Sequence, residues 1–443
     1  MARVNIKTQS QVKTFEGGRA VNLSPEKELT RAVMTCLLFE NTFYEKGSDM
    51  AERIKELCQK VKPEFISELA IKTRNDMHLR SVPLFLTREL ARLTKGRIVS
   101  NTLCNIIQRP DELSEFLAMY WLDGRCPLSA QVKKGLARAF VKFSAYALAK
   151  YNRDNTTVKL RDVLFLCHAK PKDKEQEAIW KKLIDGTLES PDTWEVKLSA
   201  GKDKKETFER LIKENKLGYM ALLRNLRNME EAGCDIELIC NALLNSENIT
   251  KSKVLPFRFI AAEQNVSTGK IKQAINQAFL LSIKNLPKLE GVTIILVDVS
   301  GSMDGQLSAK SDMRRLEAAS ALAAILKESS QTMVYSFSEH LIKVTSTKRG
   351  MAFIDDVINS QPQDGTYLGD ALRRVNGDPC QRVIVITDEQ AHDEIIPCWA
   401  KYGYIVNIAG YKPSILYQSG WEMIAGWSDK IVNYIYEIEK VEV

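Results

Sequence analysis

Asp298, Ser300 and Ser302 stand at alternate positions of VDVSGSM, directly after the apolar run GVTIIL that begins at Gly291. Three hard oxygen groups are thus presented where a strand should be ending. Asp388 closes a second apolar run, RVIVITD, and Thr366 lies in the loop QDGTYLGD ahead of a helical pattern. Two carboxylates and three hydroxyls make an all-oxygen set suited to a hard divalent cation, with Mg²⁺ the commonest choice inside cells. So little protein charge leaves the cation electrophilic, open to an external carboxylate or phosphate. The alternative use of the same groups is to hold their loops by hydrogen bonds.

Enzymatic readings of this string do worse. A nucleophile elbow needs Gly two residues before the serine, where Asp298 stands, and the only bases at hand in this region are His340 and His392. A phosphate-binding loop ends in GK[ST], whereas STGKI around Gly269 ends in Ile271 and follows no strand. A metal-dependent nuclease would need a denser carboxylate cluster and a base. No catalytic residue is expected.

The groups must be positioned by strands. After Gly291, β-branched runs (VTIILVDVS, MVYSFS, LIKVTS, RVIVITD, YIVNIAGY) alternate with the helical patterns RRLEAASALAAILKES, MAFIDDVIN and LGDALRRV. This alternation predicts a mainly parallel, doubly wound α/β sheet covered on both faces, with ligands outside the carboxyl ends of its strands. From about Ser24 to Leu286 the spacing is helical instead, as in ELTRAVMTCLLF, AERIKELCQKV, ELSEFLAMYWL and FVKFSAYALAKY. Ser24-Pro25-Glu26 reads as a cap, and Pro63, Pro110, Pro127, Pro171 and Pro191 punctuate later boundaries. The pattern suits antiparallel helix pairs stacked as degenerate repeats, with a compact bundle as the alternative. GKDKKETFER, from Gly201, is expected to be an exposed connection. The chain divides into a helical region, 1–288, and a strand-helix region, 289–443.

Bulk properties bound the function. The 443 residues are 44% hydrophobic and 27% charged, ample for more than one soluble domain. No apolar run approaches the roughly 20 residues that span a bilayer, and MARVNIKTQSQVK lacks a signal-peptide core, so a cytoplasmic chain without a membrane partner is expected. Nine scattered cysteines form no CxxC pair and lie at no zinc spacing, which predicts reduced, mostly buried thiols.

The net charge of +7 is unevenly held: residues 1–288 carry 49 basic against 35 acidic side chains, residues 289–443 only 14 against 21. Within Ala130–Lys172 stand Lys133, Lys134, Arg138, Lys142, Lys150, Arg153, Lys159, Arg161, Lys170 and Lys172, against Asp154 and Asp162 alone. Charge by itself fits a polyanion-facing belt and a solvated helical face equally well. Phe143, Tyr146 and Tyr151 interleave with it at a spacing typical of core packing. Arg224 and Arg227 fit an inner surface or pairs with Glu230 and Glu231.

The sequence DxSxS, a Thr before a helix and an Asp closing a later strand resembles the metal-ion-dependent adhesion site of von Willebrand factor A domains, matched at Asp298, Ser300, Ser302, Thr366 and Asp388. That resemblance implies partner binding through a metal rather than catalysis. Together with the basic helical region, and with GGRAVNLSPEKELTRAVMTCLLFENTFYEKG, PLFLTREL, RDVLFLCHAKP, GYMALLRNLRNM and KVLPFRFIAA in order, it makes the whole chain similar to the TROVE-module, Ro autoantigen-like family of RNA-binding proteins. The resemblance implies HEAT-like helical repeats closed into a ring by the A domain. It also implies Y RNA on the outer basic surface, single-stranded 3′ ends of misfolded RNAs in the central hole, and a 3′-to-5′ exoribonuclease as an occasional partner. Lys134, Arg138, Lys150, Arg153 and His168 fall where the family contacts RNA, and Lys133 and Lys142 join them in the belt; without the resemblance His168 reads as a helix-end residue. A monomer that binds RNA and not DNA is expected. The competing expectation is a metal-dependent protein adaptor, which leaves the basic excess unexplained.

Overall fold

Ser24 accepts the Lys27 amide at 3.3 Å and Pro25 opens the first helix, so the cap read from their order is made. The computed structural model describes residues 24–34, 47–152, 156–307, 313–391, 393–409, 420–425 and 430–441. The first helical block comprises α1 (Pro25–Met34), α2 (Gly47–Cys58), α3 (Pro63–Asn75), α4 (Ser81–Leu93), α5 (Arg97–Ile106), α6 (Pro110–Tyr120), α7 (Ala130–Phe140), α8 (Ala145–Tyr151), α9 (Leu160–Cys167) and α10 (Lys174–Ile184). Odd-numbered helices pack side by side in one row and even-numbered helices in a second. This is a stacked-repeat array rather than a compact bundle.

Within the odd row, α5 and α7 approach closely across Gly135. A Cβ on Gly135 would stand 2.8 Å from Leu103 Cβ and 3.1 Å from Ser100 Cα, so only glycine permits the contact. Gly135→Ala is expected to destabilise the chain by about 1–3 kcal/mol through overpacking. A urea midpoint equal to that of the wild type would show that α5 can slide aside.

The second block runs through α11 (Trp194–Ser199), α12 (Lys204–Lys213), α13 (Tyr219–Arg224), α14 (Leu226–Glu231), α15 (Ile236–Leu243), α16 (Ser246–Ser252), α17 (Phe257–Glu263) and α18 (Gly269–Ile283). Most of GKDKKETFER is therefore helix and not a connection. Asp203 caps α12 by accepting the Glu206 amide at 2.8 Å, and Thr207, Phe208 and Leu211 form a buried stripe that the surrounding charges mask in the sequence.

The strand-helix region contains β1 (Val292–Asp298), a 3-10 turn (Gly301–Asp304), α19 (Arg315–Ser329), β2 (Gln331–Phe337), β3 (Leu341–Lys343), α20 (Met351–Ile358), α21 (Leu368–Val375), β4 (Arg382–Thr387), β5 (Tyr402–Asn407), β6 (Trp421–Ala425) and α22 (Lys430–Val441). The strand order is β3-β2-β1-β4-β5-β6, with β3 antiparallel to β2 and every other pair parallel. β6 is the strand that periodicity misses, because WEMIA is short and carries Glu422.

The apolar cores are not divided where the sequence changes character. Helices α1–α10 share one core from Leu29 to Leu183. The core of α12–α18 is continuous with α19, α20, α22 and one face of the sheet, while α21 covers the other face. Asn276 of α18 accepts the Met351 amide of α20 at 2.9 Å across this junction.

The two ends of the helical array meet through the sheet, which closes the ring. α1 packs against β6, and the Lys72 ammonium of α3 lies 5.8 Å from the centre of the Tyr434 ring of α22. A cavity of about 670 Å³, lined in part by Lys72, His78, Lys253, Asn285 and Tyr434, opens at this seam. Arg382 fastens α22 to the sheet: its guanidinium donates to both Glu439 carboxylate oxygens, at 2.7 and 2.6 Å, to the Thr293 hydroxyl at 2.8 Å and to the Glu290 carbonyl at 2.6 Å.

Candidate functional site

β1 and β4 are neighbours at the centre of the sheet, where the strand order turns outward in both directions. This is the switch point at which a doubly wound sheet opens a crevice. Asp298 ends β1 and Asp388 follows β4, and neither is exposed. Asp298 Oδ1 accepts the Ser300 amide at 3.0 Å and Oδ2 accepts the Thr387 hydroxyl at 2.6 Å. The Ser300 and Ser302 hydroxyl oxygens are 3.2 Å apart. Gly301 donates its amide to the Asp364 carbonyl at 2.9 Å, which docks the loop carrying the buried Thr366 against the serine turn. Four of the five predicted ligands lie on the two adjoining strand ends, and the loop of the fifth is bonded to them.

Among the described residues no trio of His, Cys, Asp or Glu side chains could hold a metal ion, so a cation here depends on the hydroxyls. The donors fit one. Two oxygens sharing an edge of an octahedral Mg²⁺ shell stand roughly 3.0 Å apart, close to the serine pair. Burial, and then the neighbouring Asp388, push the Asp298 carboxyl up to about 7; a divalent cation reverses such a push. Ser300, Ser302 and Thr366, with Asp298 and Asp388, would hold it. The loop-holding use is realised as well, through the bonds to Ser300 and Thr387.

The raised carboxyl has a consequence for stability. An unfolded aspartate gives up its proton near the ordinary value of 3.8, whereas native Asp298 keeps its proton until about 7. Between those values the native state binds more protons, so stability falls as pH rises. In cation-free buffer the melting temperature is expected to drop between about pH 5 and pH 7, and saturating Mg²⁺ should flatten the profile. Calorimetry that shows stability rising over this window removes the assignment.

Sequence reasoning passed over Arg315, the first residue of α19. It is 1% exposed, and its Nη1 donates to the Ser302 carbonyl at 2.8 Å and to Asp388 Oδ2 at 3.4 Å. Helix phase offered no signal, because every residue from Arg315 to Leu326 is buried, while Arg314 beside it is half-buried and pairs with Asp304. Glu389, buried between Asp388 and Gln390, has a φ of +61°, a left-handed conformation uncommon outside glycine.

The basic residues do not all share one face. Lys134 and Arg138 are exposed on α7, with Arg138 donating to Asn101 of α5 at 2.8 Å, and Lys133 beside them is half-buried. His168 is the left-handed C-cap of α9, with a φ of +53°, and is exposed beside them in the same row. It is thus both the helix-end residue and a surface residue. Lys142 is committed elsewhere: its ammonium donates to the Cys104 and Ile107 carbonyls at the end of α5. Lys150 is exposed on α8, in the even row, 6.0 Å from the Tyr146 ring. Arg153 lies outside the described residues, as does His392.

Of the aromatics assigned to the core, only Phe143 is buried; Tyr146 is 54% exposed and Tyr151 half-buried. Sequence reasoning also missed Phe165, 57% exposed between Arg161 and His168 on the outer side of α9. Arg227 pairs with Glu231 at 3.2 Å, and Glu230 instead receives the Ser267 and Thr268 amides ahead of α18. Among the described cysteines none is in a disulfide; Cys58, Cys167, Cys234 and Cys240 are buried, Cys104, Cys380 and Cys398 are half-buried, and Cys126 is exposed.

Residues 28–187 and 185–278 match the TROVE domain, and residues 293–390 match the von Willebrand factor type A domain. Over 82 residues the chain is 37% identical to telomerase protein component 1 of Mus musculus and 35% identical to that of Rattus norvegicus. Those stretches are 18% of this chain and 3% of each relative, so the chain spans a small part of their length. The crystal structure of the Deinococcus radiodurans RO (RSR) protein is similar with a TM-score of 0.62, over 95% of this chain and 100% of that one, at 15% identity. This likeness shows the shared fold.

Proposed function

The chain belongs to the TROVE-domain family, with a von Willebrand factor type A domain following the helical region, and on that premise we propose that it is the RNA-binding component of a ribonucleoprotein. It takes Y-RNA-like noncoding RNA on the α5–α7–α9 face and admits single-stranded 3′ ends of misfolded RNAs to the ring. An exoribonuclease would be a downstream partner. The observation that carries the reading is the common exposure of Lys134, Arg138 and His168 on one helical row. Such a face tracks phosphates, and a ring selects a free end without any base-specific contact.

When bound, a divalent cation at the strand ends supplies an electrophilic position for a partner's carboxylate, and it is assigned no catalytic step. The free thiols agree with a reducing compartment such as the cytoplasm. Among the described residues no helix is long and apolar enough to cross a membrane.

Filter binding of RNAs with and without a single-stranded 3′ tail, repeated across salt concentrations, tests the proposal. The expected result is tighter binding of the tailed RNA, with log Kd rising linearly with log salt at about 0.7 per phosphate engaged. Equal binding of blunt and tailed RNA refutes the threading half. A flat salt profile refutes the belt.

A further inference from the structure

The cavity of about 670 Å³ at the seam lies in the size range of small-molecule sites, roughly 300–1,000 Å³. Its walls come from parts of the chain far apart in sequence: Lys72 from α3, Lys253 from the end of α16, Asn285 from the end of α18, and Asn433 and Tyr434 from α22. Among the described residues neither lysine has an acidic partner, and the Asn285 and Asn433 carboxamides make no hydrogen bond. Asp76, the one acidic residue in the described lining, is bonded to neither lysine. The backbone is unusual here too. Of the five described non-glycine residues with left-handed φ, two line this cavity: His78 at +56° and Lys253 at +51°. Such conformations are uncommon and gather at ligand sites.

We propose that the seam cavity is a nucleotide site. The Tyr434 hydroxyl donates at 3.4 Å to Glu422, which lies outside the lining, so what Tyr434 offers the cavity is its ring. Bases of every kind stack on such a ring. The two unbonded carboxamides suit the donor and acceptor edge of a base, and the two ammonium groups suit a phosphate. α3, α16 and α18 all finish at the cavity, so the negative ends of three helices stand beside the lysines. That mixture disfavours a bare polyanion and favours one ligand that carries a phosphate and hydrogen-bond donors together. The same chemistry comes as a free nucleotide or as the last unit of a strand. Because the walls belong to both ends of the helical array and to α22, an occupant ties the closed ring together, and its binding free energy adds to the stability of that closure. The site is separate from the basic face of α7 and α9, and the reading of that face can fail without it.

The test is calorimetric titration of the full chain with adenosine 5′-monophosphate (AMP), adenosine and inorganic phosphate. AMP is expected to bind about ten-fold or more tighter than either fragment, since it alone engages ring, carboxamides and ammonium groups at once. Lys253→Glu should weaken AMP about ten-fold and leave adenosine unchanged, whereas Tyr434→Leu should weaken both. Hydrogen exchange of the wild type should show AMP protecting α3 and α22 together. Phosphate binding as tightly as AMP overturns the nucleotide assignment. No AMP binding, AMP binding indifferent to Lys253→Glu, or protection that spares α3 and α22 overturns the site. If Tyr434→Leu does not fold, Lys253→Glu at an exposed position still decides. Pentaadenylate separates the sources: displacement of AMP by it upholds the site as one for a strand end, and failure to displace AMP upholds it as one for a free nucleotide.

Discussion

Reversal of Lys134 and Arg138 to glutamate should weaken RNA binding by about 100-fold near 0.1 M salt and lower the salt slope by about 1.4, since two phosphate contacts become repulsions. The two side chains stand one helical turn apart on the exposed side of α7, and the only described bond between them and the protein is that of Arg138 to Asn101. Thermal stability should therefore stay close to that of the wild type. Lys142→Glu supplies the contrast. It removes the ammonium that receives the α5 carbonyls, so it should lower stability while leaving the slope nearly intact. Lys150→Glu changes the opposite row. A slope that responds to Lys150 and not to Lys134 and Arg138 would move the RNA face to the even helices.

The largest stability effect is expected where α22 is fastened to the sheet. Arg382 is 1% exposed and gives four hydrogen bonds to Glu439, Thr293 and the Glu290 carbonyl. Arg382→Met strands the Glu439 carboxylate, 13% exposed, without its partner, a change that costs about 3–5 kcal/mol. Chemical denaturation followed by tryptophan fluorescence reads the loss. Adding Glu439→Leu should recover much of it, because removing both charges is far cheaper than orphaning one. If the double variant is no better than the single one, the damage comes from packing and not from charge.

The strand ends were legible because burial and period leave a strong trace: VTIILVD and RVIVIT are continuous apolar runs, and the oxygens at their ends have no packing reason to be there. The helical caps were legible for the same local reason. Arg315 was not, since its meaning depends on Asp388, which is 73 residues away in the chain. The basic belt shows the opposite failure. Sequence proximity grouped Lys134, Lys142 and Lys150, but a two-row array sends successive helices to opposite sides, and the end of α5 claims the ammonium of Lys142. Charge density along a chain records composition, and only the row assignment turns it into a surface. α12 was lost because its six charged residues hide a stripe of three buried ones.

The seam has a temporal meaning as well. α1 meets β6, and α3 meets α22, across roughly 360–390 residues of chain, which a ribosome adds over roughly 20–80 s at about 5–20 residues per second. The first ten helices hold a complete core of their own and can fold in that interval. A newly made molecule is therefore an open arc before it is a closed hoop. If RNA threads the ring as proposed, one that settles on the arc during synthesis would be linked through it without ever presenting an end, whereas a finished ring would admit only what can be threaded.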